Sequence, residues 1–245
     1  MPHSPISSAT CATRFVLVGT SHPGNVGAAA RAMKVMGFAD LVLVQPRFAN
    51  VLSMEETVAM ASGAADVLTR ARIVDSVPEA LEGISHVCAT AMTPRDFGPP
   101  TRAPRPHFPE LVAAGHSVAF VFGSERYGLS NDDVYRAHTC LSIPTAPGYG
   151  SLNLAQAVQV VAYEWRQALG SFDVEERTKA SQWADAVAVQ GALKHWEEVL
   201  VQVGFLDPAA PKKLMPRLQQ LLNRQTLTTE EIHILRGIAR AVQRR

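Results

Sequence analysis

Short, uninterrupted apolar runs, each closed by a turn former, constrain this chain more than any other feature of its sequence. Phe15-Val16-Leu17-Val18 stops at Gly19, Leu41-Val42-Leu43-Val44 stops at Gln45-Pro46, and Val118-Ala119-Phe120-Val121-Phe122 stops at Gly123. Runs of four or five apolar residues without polar alternation read as strands covered on both faces. Between the first two, residues 26 to 36 read as a helix, with Gly37 as its stop. Two such strands joined through a helix make a βαβ unit, and its strands must be parallel. The fold class is therefore α/β.

The alternation continues through the first two thirds of the chain. Helices are expected over 54–62 and 77–83, near 109–114, and again after Ser130, a suitable N-cap ahead of Asp132 and Asp133. Strands are expected near Ile73-Val74, over 86–90 and over 141–143. A long helix follows at 151–168, apolar around its first three turns, which predicts burial in the core or against another subunit. Beyond Gly170 no strand-like run remains, and Thr228-x-x-Glu231 is a capping box introducing the last helix. The reading is a flexible N-terminus (1–13), an α/β domain (14–170) and a small helical C-terminal extension (171–245).

Composition mainly excludes. With 47% hydrophobic and 18% charged residues among 245, the chain can bury a sizeable core. No leader-like segment and no apolar stretch near the roughly 20 residues of a membrane span is present, so no membrane association is expected. Cys11, Cys88 and Cys140 are far apart and form no CxxC pair, which fits a reducing cytoplasm and predicts no metal. A net charge of +1 lacks the signature of a strongly basic nucleic-acid binder. The charge is uneven, however. Residues 206–245 carry an excess of five positive charges, and Arg95, Arg102 and Arg105 lie in a proline-rich stretch from 93 to 109. These segments suit an RNA backbone, and equally a solvated surface.

The loop His22-Pro23-Gly24-Asn25-Val26-Gly27 lacks GxGxxG spacing, and no acidic residue ends the second strand, so a nicotinamide cofactor is a weak reading. No GxxxxGK[ST] segment exists, which excludes a P-loop. Three other segments stand out together. They are Asn25-x-Gly27-x-x-x-Arg31 at the first helix, Val121-Phe122-Gly123-Ser124-Glu125-Arg126-Tyr127-Gly128-Leu129 after a strand, and Ile143-Pro144 followed by Gly150-Ser151-Leu152-Asn153-Leu154-Ala155. Each alone is explained by a capped helix or a tight turn. In this order, each at a strand end, they resemble the three motifs of the TrmH-like branch of the SPOUT RNA methyltransferases. The phrases SHPGNVGAAARAMKVMGF, YGSLNLAQAVQVVAYE and ILRGI narrow the resemblance to its tRNA (cytidine/uridine-2′-O-)-methyltransferases.

That resemblance implies a SPOUT α/β-knot with a deep trefoil knot, a homodimer whose protomers complete each other's active sites, and S-adenosylmethionine (SAM) as methyl donor. It implies methylation of a tRNA ribose 2′-hydroxyl, at cytidine or uridine 32 of the anticodon loop. Another tRNA or rRNA target, or a silent RNA-binding module on the same fold, are the competing readings. By resemblance, Thr90, Ala91, Met92, Gly123, Ile143, Ser151, Leu152 and Asn153 contact the cofactor. Arg31 and Asn25 carry catalysis, while Ser21, His22, Glu125 and Arg126 face the RNA. A guanidinium whose pKa exceeds about 12 is a poor base, so Arg31 is expected to orient the hydroxyl and stabilise charge developing on its oxygen. Asn25 is expected to order the loop and Arg31, and Glu125 to position Arg31 or to pair with an arginine of the partner subunit. Gly19 stands where relatives often carry glutamate, and Gly150 where they carry serine.

Overall fold

A computed structural model describes residues 12–91, 96–175 and 181–244. The chain divides into two compact units, one ending at Phe172 and the other starting at Asp173.

The first unit is built on seven parallel strands: β1 (Thr13–Val18), β2 (Asp40–Val44), β3 (Arg72–Val74), β4 (His86–Thr90), β5 (Thr101–Arg102), β6 (Val118–Phe122) and β7 (Thr139–Leu141). Their order across the sheet is β3-β2-β1-β6-β4-β7-β5. The helices are α1 (Pro23–Val35), α2 (Glu55–Ala61), α3 (Ala65–Arg70), α4 (Val77–Ala80), α5 (Pro104–Ala113), α6 (Asn131–Tyr135) and α7 (Leu154–Leu169). Strand side chains alternate between two cores. Phe15, Leu17, Cys88, Phe120 and Phe122 meet residues of α1, α5 and α7 on one face. Val16, Val42, Ala89 and Val121 meet Val77, Ala80 and Val134 on the other. Both faces are covered, which is why the strand sequences show no polar alternation. Trp165 of α7 is fully buried edge-on to Phe108 and Phe120, and its indole N–H donates to the Thr13 hydroxyl at 2.8 Å.

Several boundaries differ from the sequence reading, each for a local reason. Helix α1 begins three residues early, at Pro23, because proline's preset φ and missing N–H suit the first helical position. Asn25 is thereby in the first turn of a helix. Helix α5 begins within the proline-rich stretch: Pro104 and Pro106 occupy a first turn whose amides have no helical partner, and only Pro109 forfeits an internal bond. The strand expected at 141–143 is Thr139–Leu141, since its pairing with β4 ends at Thr90. Strand β5 and helix α3 are too short for periodicity to reveal. Helix α7 starts after Asn153, and its burial is one-sided: Leu154, Val158, Val161 and Trp165 are buried, whereas Gln156 and Tyr163 are exposed. Burial on all sides does not occur within this chain.

The second unit contains α8 (Ala186–Gln202), α9 (Leu214–Leu222) and α10 (Thr229–Gln243). Ala192, Leu193 and Val199 of α8, Leu206 beyond its end, and Ile232 and Ala239 of α10 supply its buried residues. The capping box at Thr228 and Glu231 is formed as its spacing predicts. No described helix is long and apolar enough to cross a membrane. Most of the N-terminal segment read as flexible lies outside the described residues.

Candidate active site

Ligands of parallel α/β sheets bind beyond the carboxyl ends of the strands. At that edge here, β1 runs into Ser21 and α1, β6 runs into a tight hairpin, β4 ends at Thr90, and β7 leads towards Asn153. In the hairpin, the Ser124 and Gly128 amides each donate to the other's carbonyl, at 3.2 and 2.9 Å. Gly123 makes that turn possible: a Cβ there would lie 2.0 Å from the Gly128 carbonyl carbon.

The hairpin aims Glu125 at the start of α1. Its carboxylate accepts from the Ser21 amide (3.0 Å), the Ser21 hydroxyl (2.8 Å), the His22 amide (3.4 Å) and the Asn25 side-chain amide (2.8 Å). The Ser21 and His22 amides belong to the turn ahead of a helix whose first N–H groups need acceptors. Burial opposes the charge on Glu125, but the donors from Asn25 and Ser21 outweigh it and hold the pKa below the ordinary carboxylate value. The Asn25 side-chain oxygen Oδ1 in turn accepts from the Asn153 side-chain amide at 2.9 Å. The Asn153 side-chain oxygen Oδ1 caps α7, accepting from the Ala155 backbone amide at 2.9 Å and the Gln156 backbone amide at 3.4 Å. One hydrogen-bonded chain, Glu125–Asn25–Asn153, thus joins all three sequence motifs.

Beside this chain opens a cavity of about 430 Å³, within the roughly 300–1,000 Å³ usual for small-molecule sites. Thr90, Ala91, Gly123, Ile143, Ser151 and Leu152 line it, together with Glu125 and Arg126. Leu129, Leu141 and Leu154 add apolar wall, and Tyr127 stands at its rim, 78% exposed, with the Arg126 guanidinium 5.2 Å from its ring centre. A second hollow of about 420 Å³, lined by residues such as Leu52, Val58 and Leu68, holds no titratable side chain.

Not every expected site residue is gathered there. Asn153 does not line the cavity, because both ends of its side chain are engaged in the cap and the Asn25 bond. Met92 lies outside the described residues. Ser21, His22 and Asn25 stand behind Glu125, Ser21 and Asn25 as donors through their side chains and His22 through its backbone. Arg31 is exposed on α1 and makes no hydrogen bond or ion pair among the described residues. Six residues beyond Asn25, it is about 9 Å further along the helix axis. The expectation that Glu125 positions Arg31 directly is not met, since the carboxylate is occupied by Ser21, His22 and Asn25. Sequence reasoning passed over Tyr127, Leu129, Thr145 and Ala157 as cavity residues. Tyr127 and Leu129 sit inside a motif already singled out, whereas Ala157 carries no signal short of the α7 geometry.

Comparison with known proteins agrees with this arrangement over both units. Residues 12–163 match the SpoU rRNA Methylase family, and residues 187–245 match the C-terminal domain of the tRNA methyltransferase TrmJ. The chain is 42% identical over 243 residues to the tRNA (cytidine/uridine/adenosine-2′-O-)-methyltransferase TrmJ of Pseudomonas aeruginosa (strain UCBPP-PA14), covering 94% of this chain and 93% of the relative. It is 42% identical over 235 residues to the tRNA (cytidine/uridine-2′-O-)-methyltransferase TrmJ of Photorhabdus laumondii, with 94% and 96% covered. Among solved structures, TrmJ from Z. mobilis ZM4 superimposes with a TM-score of 0.79 at 33% identity, over 94% of this chain and 98% of that one. The chain belongs to the SpoU methylase family and, within it, to the TrmJ methyltransferases, whose C-terminal domain it also carries.

Proposed function

We propose that this chain transfers a methyl group from SAM to the 2′-oxygen of a cytidine or uridine ribose in tRNA. The observation that carries the reading is the Glu125–Asn25–Asn153 chain beside the cavity. It ties a cofactor-sized hollow to the helix that bears Arg31, an arginine without a partner among the described residues. The names of the Pseudomonas and Photorhabdus relatives, both 2′-O-methyltransferases of tRNA, support the substrate. The fit to SAM rests on the cavity itself: its volume, its leucine walls, and the close backbone approach at Gly123. Thr90, Ala91, Gly123, Ile143, Ser151 and Leu152 would hold the cofactor. When bound, it supplies a methyl group already activated by a sulfonium, so alignment provides much of the catalysis and no metal is needed for the transfer.

The chain's own residues then have separable tasks. Arg31 orients the ribose hydroxyl and stabilises negative charge on its oxygen as the O–C bond forms and the proton departs. Glu125 and Asn25 fix the start of α1. Arg126 and Tyr127, at the rim, meet the RNA through charge and stacking. Arg31 does not line the cavity of its own chain, which supports a homodimer in which each copy's arginine serves the other's cavity. The half-open face of α7 supports the same arrangement. Crossovers that skip strands, such as β4 to β5 past β7 and β6 to β7 past β4, support a trefoil knot around the cavity. In this reading residues 14–170 perform the chemistry, the extension from 171 adds RNA contact, and the work is cytoplasmic.

Two tRNA targets compete. A protein described as methylating C/U34 on tRNA is 28% identical, with a TM-score of 0.50, but matches only 64% of this chain. The TrmJ relatives match 94% each, the helical extension included, and the resemblance to their group is what implies nucleotide 32. Labelled SAM and bulk unmodified tRNA test the proposal. Label in 2′-O-methylcytidine or 2′-O-methyluridine at position 32 is expected. Label at another nucleotide would replace the target, and SAM binding without transfer to any RNA would favour a silent binding module.

A further inference from the structure

Four of the chain's eight histidines meet at the start of β4, at the opposite end of the strand from the cavity. The His86 ring centre lies 4.9 Å from that of His138, 5.2 Å from that of His116 and 6.0 Å from that of His107. Thr90, at the cavity, is four residues on, about 13 Å along the strand. The cluster is therefore separate from the proposed methyl-transfer site.

Its inner part has the form of a ligand set. His86 and Cys88 share one face of β4 because strand side chains alternate with period two. Helix α5 packs over that face and brings down His107. The donor atoms of His86, Cys88 and His107 all lie within 4.8 Å of one another, the one such group of three among the described residues. Cys88 is fully buried and the His107 side chain is only 10% exposed. The hydroxyl of Thr139, paired opposite Cys88 on β7, lies 3.2 Å from Nε2 of both His86 and His107. Both nitrogens thus point to one spot. His107 Nδ1 is 3.1 Å from a Glu110 carboxylate oxygen. A proton held there by Glu110 leaves Nε2 a bare acceptor aimed inward, the carboxylate–histidine arrangement that orients imidazole towards metals. His138 is committed elsewhere, its Nδ1 3.1 Å from the Val87 amide, and His116 Nδ1 lies 3.1 Å from the Ser85 hydroxyl.

We propose that His86, Cys88 and His107 bind a thiophilic first-row metal ion of the Zn²⁺ class, with Thr139 beside the open position. Two imidazoles and a thiolate are a ligand set for Zn²⁺ or copper rather than for Mg²⁺ or Ca²⁺. Bond lengths of about 2.0–2.3 Å set tetrahedral ligand atoms about 3.3–3.8 Å apart, so a contraction of roughly an ångström completes the site. On binding, His86 carries its proton on Nδ1 and Cys88 releases its thiol proton to solvent. The metal then ties β4 to α5.

The test is titration of the full chain, freed of metal by chelator and kept reduced, with Zn²⁺ in a calorimeter and with Co²⁺ in a spectrophotometer. One equivalent of metal and a thiolate-to-cobalt charge-transfer band are expected. Cys88→Ala should lose the band while Cys11 and Cys140 remain, and should still bind SAM. Glu110→Gln should weaken binding by about tenfold, as loss of an orienting carboxylate does. His107→Gln, at a partly solvated position, should weaken it further and decides the matter if Cys88→Ala does not fold. Absence of the band, or an unchanged band and affinity in Cys88→Ala or His107→Gln, would overturn the proposal.

Discussion

At the scale of single residues, the three members of Asn25-x-Gly27-x-x-x-Arg31 do three different things, although the motif reads as one unit. Asn25 bridges Glu125 and Asn153, Gly27 lets α2 approach, and Arg31, exposed and without a hydrogen bond or ion pair among the described residues, is the group proposed to meet substrate. Arg31→Ala should therefore fold and bind SAM like the parent protein yet abolish methyl transfer; loss of SAM binding in a folded variant would refute the role. Gly123→Ala should instead lose SAM binding in a calorimetric titration, and methyl transfer with it, because its Cβ collides with the hairpin backbone. Glu125 gives a pH signature. Its carboxyl is more acidic in the folded chain than the ordinary 4.5, so the folded state binds fewer protons there than the unfolded state. Stability from Glu125 is present above pH 4.5 and is lost as the pH falls through the lowered folded value. Denaturant midpoints measured down the acid range should fall more steeply for the parent than for Glu125→Gln.

At the scale of elements, packing between α1 and α2 and the cap of α7 decide whether the motifs meet. A Cβ on Gly27 would stand 2.1 Å from the Thr57 carbonyl oxygen. Gly27→Ala should cost about 1–3 kcal/mol in chemical denaturation, the range for overpacking. Much of this level is legible in the sequence. The runs at Phe15, Leu41 and Val118 declare strands covered on both faces, and Thr228-x-x-Glu231 declares a cap. Pro104 to Pro109 misleads, because prolines that suit a first helical turn look like a loop. Arg102 belongs to a two-residue strand that only its neighbour β7 defines. At the site, the residues of each motif are visible in the sequence, but the hydrogen bonds joining them are not. Asn25 lies 100 residues from Glu125 and 128 from Asn153, so only the folded chain reveals that Asn153 serves as a strut rather than a cavity wall. The donors at 86, 88 and 107 show no linear metal-binding spacing either, because a helix folded over β4 brings the third to the first two.

At the scale of the whole molecule, the proposed homodimer, in which a cavity in one copy meets an arginine from the other, would make activity a property of the pair. An inactive Arg31→Ala protein mixed with an inactive Gly123→Ala protein should regain methyl transfer after subunit exchange, since one of the two sites in each mixed dimer is then intact. No recovery despite verified exchange would mean that each copy uses its own arginine. The most direct measurement is methyl transfer to a tRNA carrying either cytidine or 2′-deoxycytidine at nucleotide 32. The account predicts full methylation of the ribose form and none of the deoxy form. Equal methylation of both would mean that the methyl group goes to an atom other than the 2′-oxygen of nucleotide 32, and would contradict it.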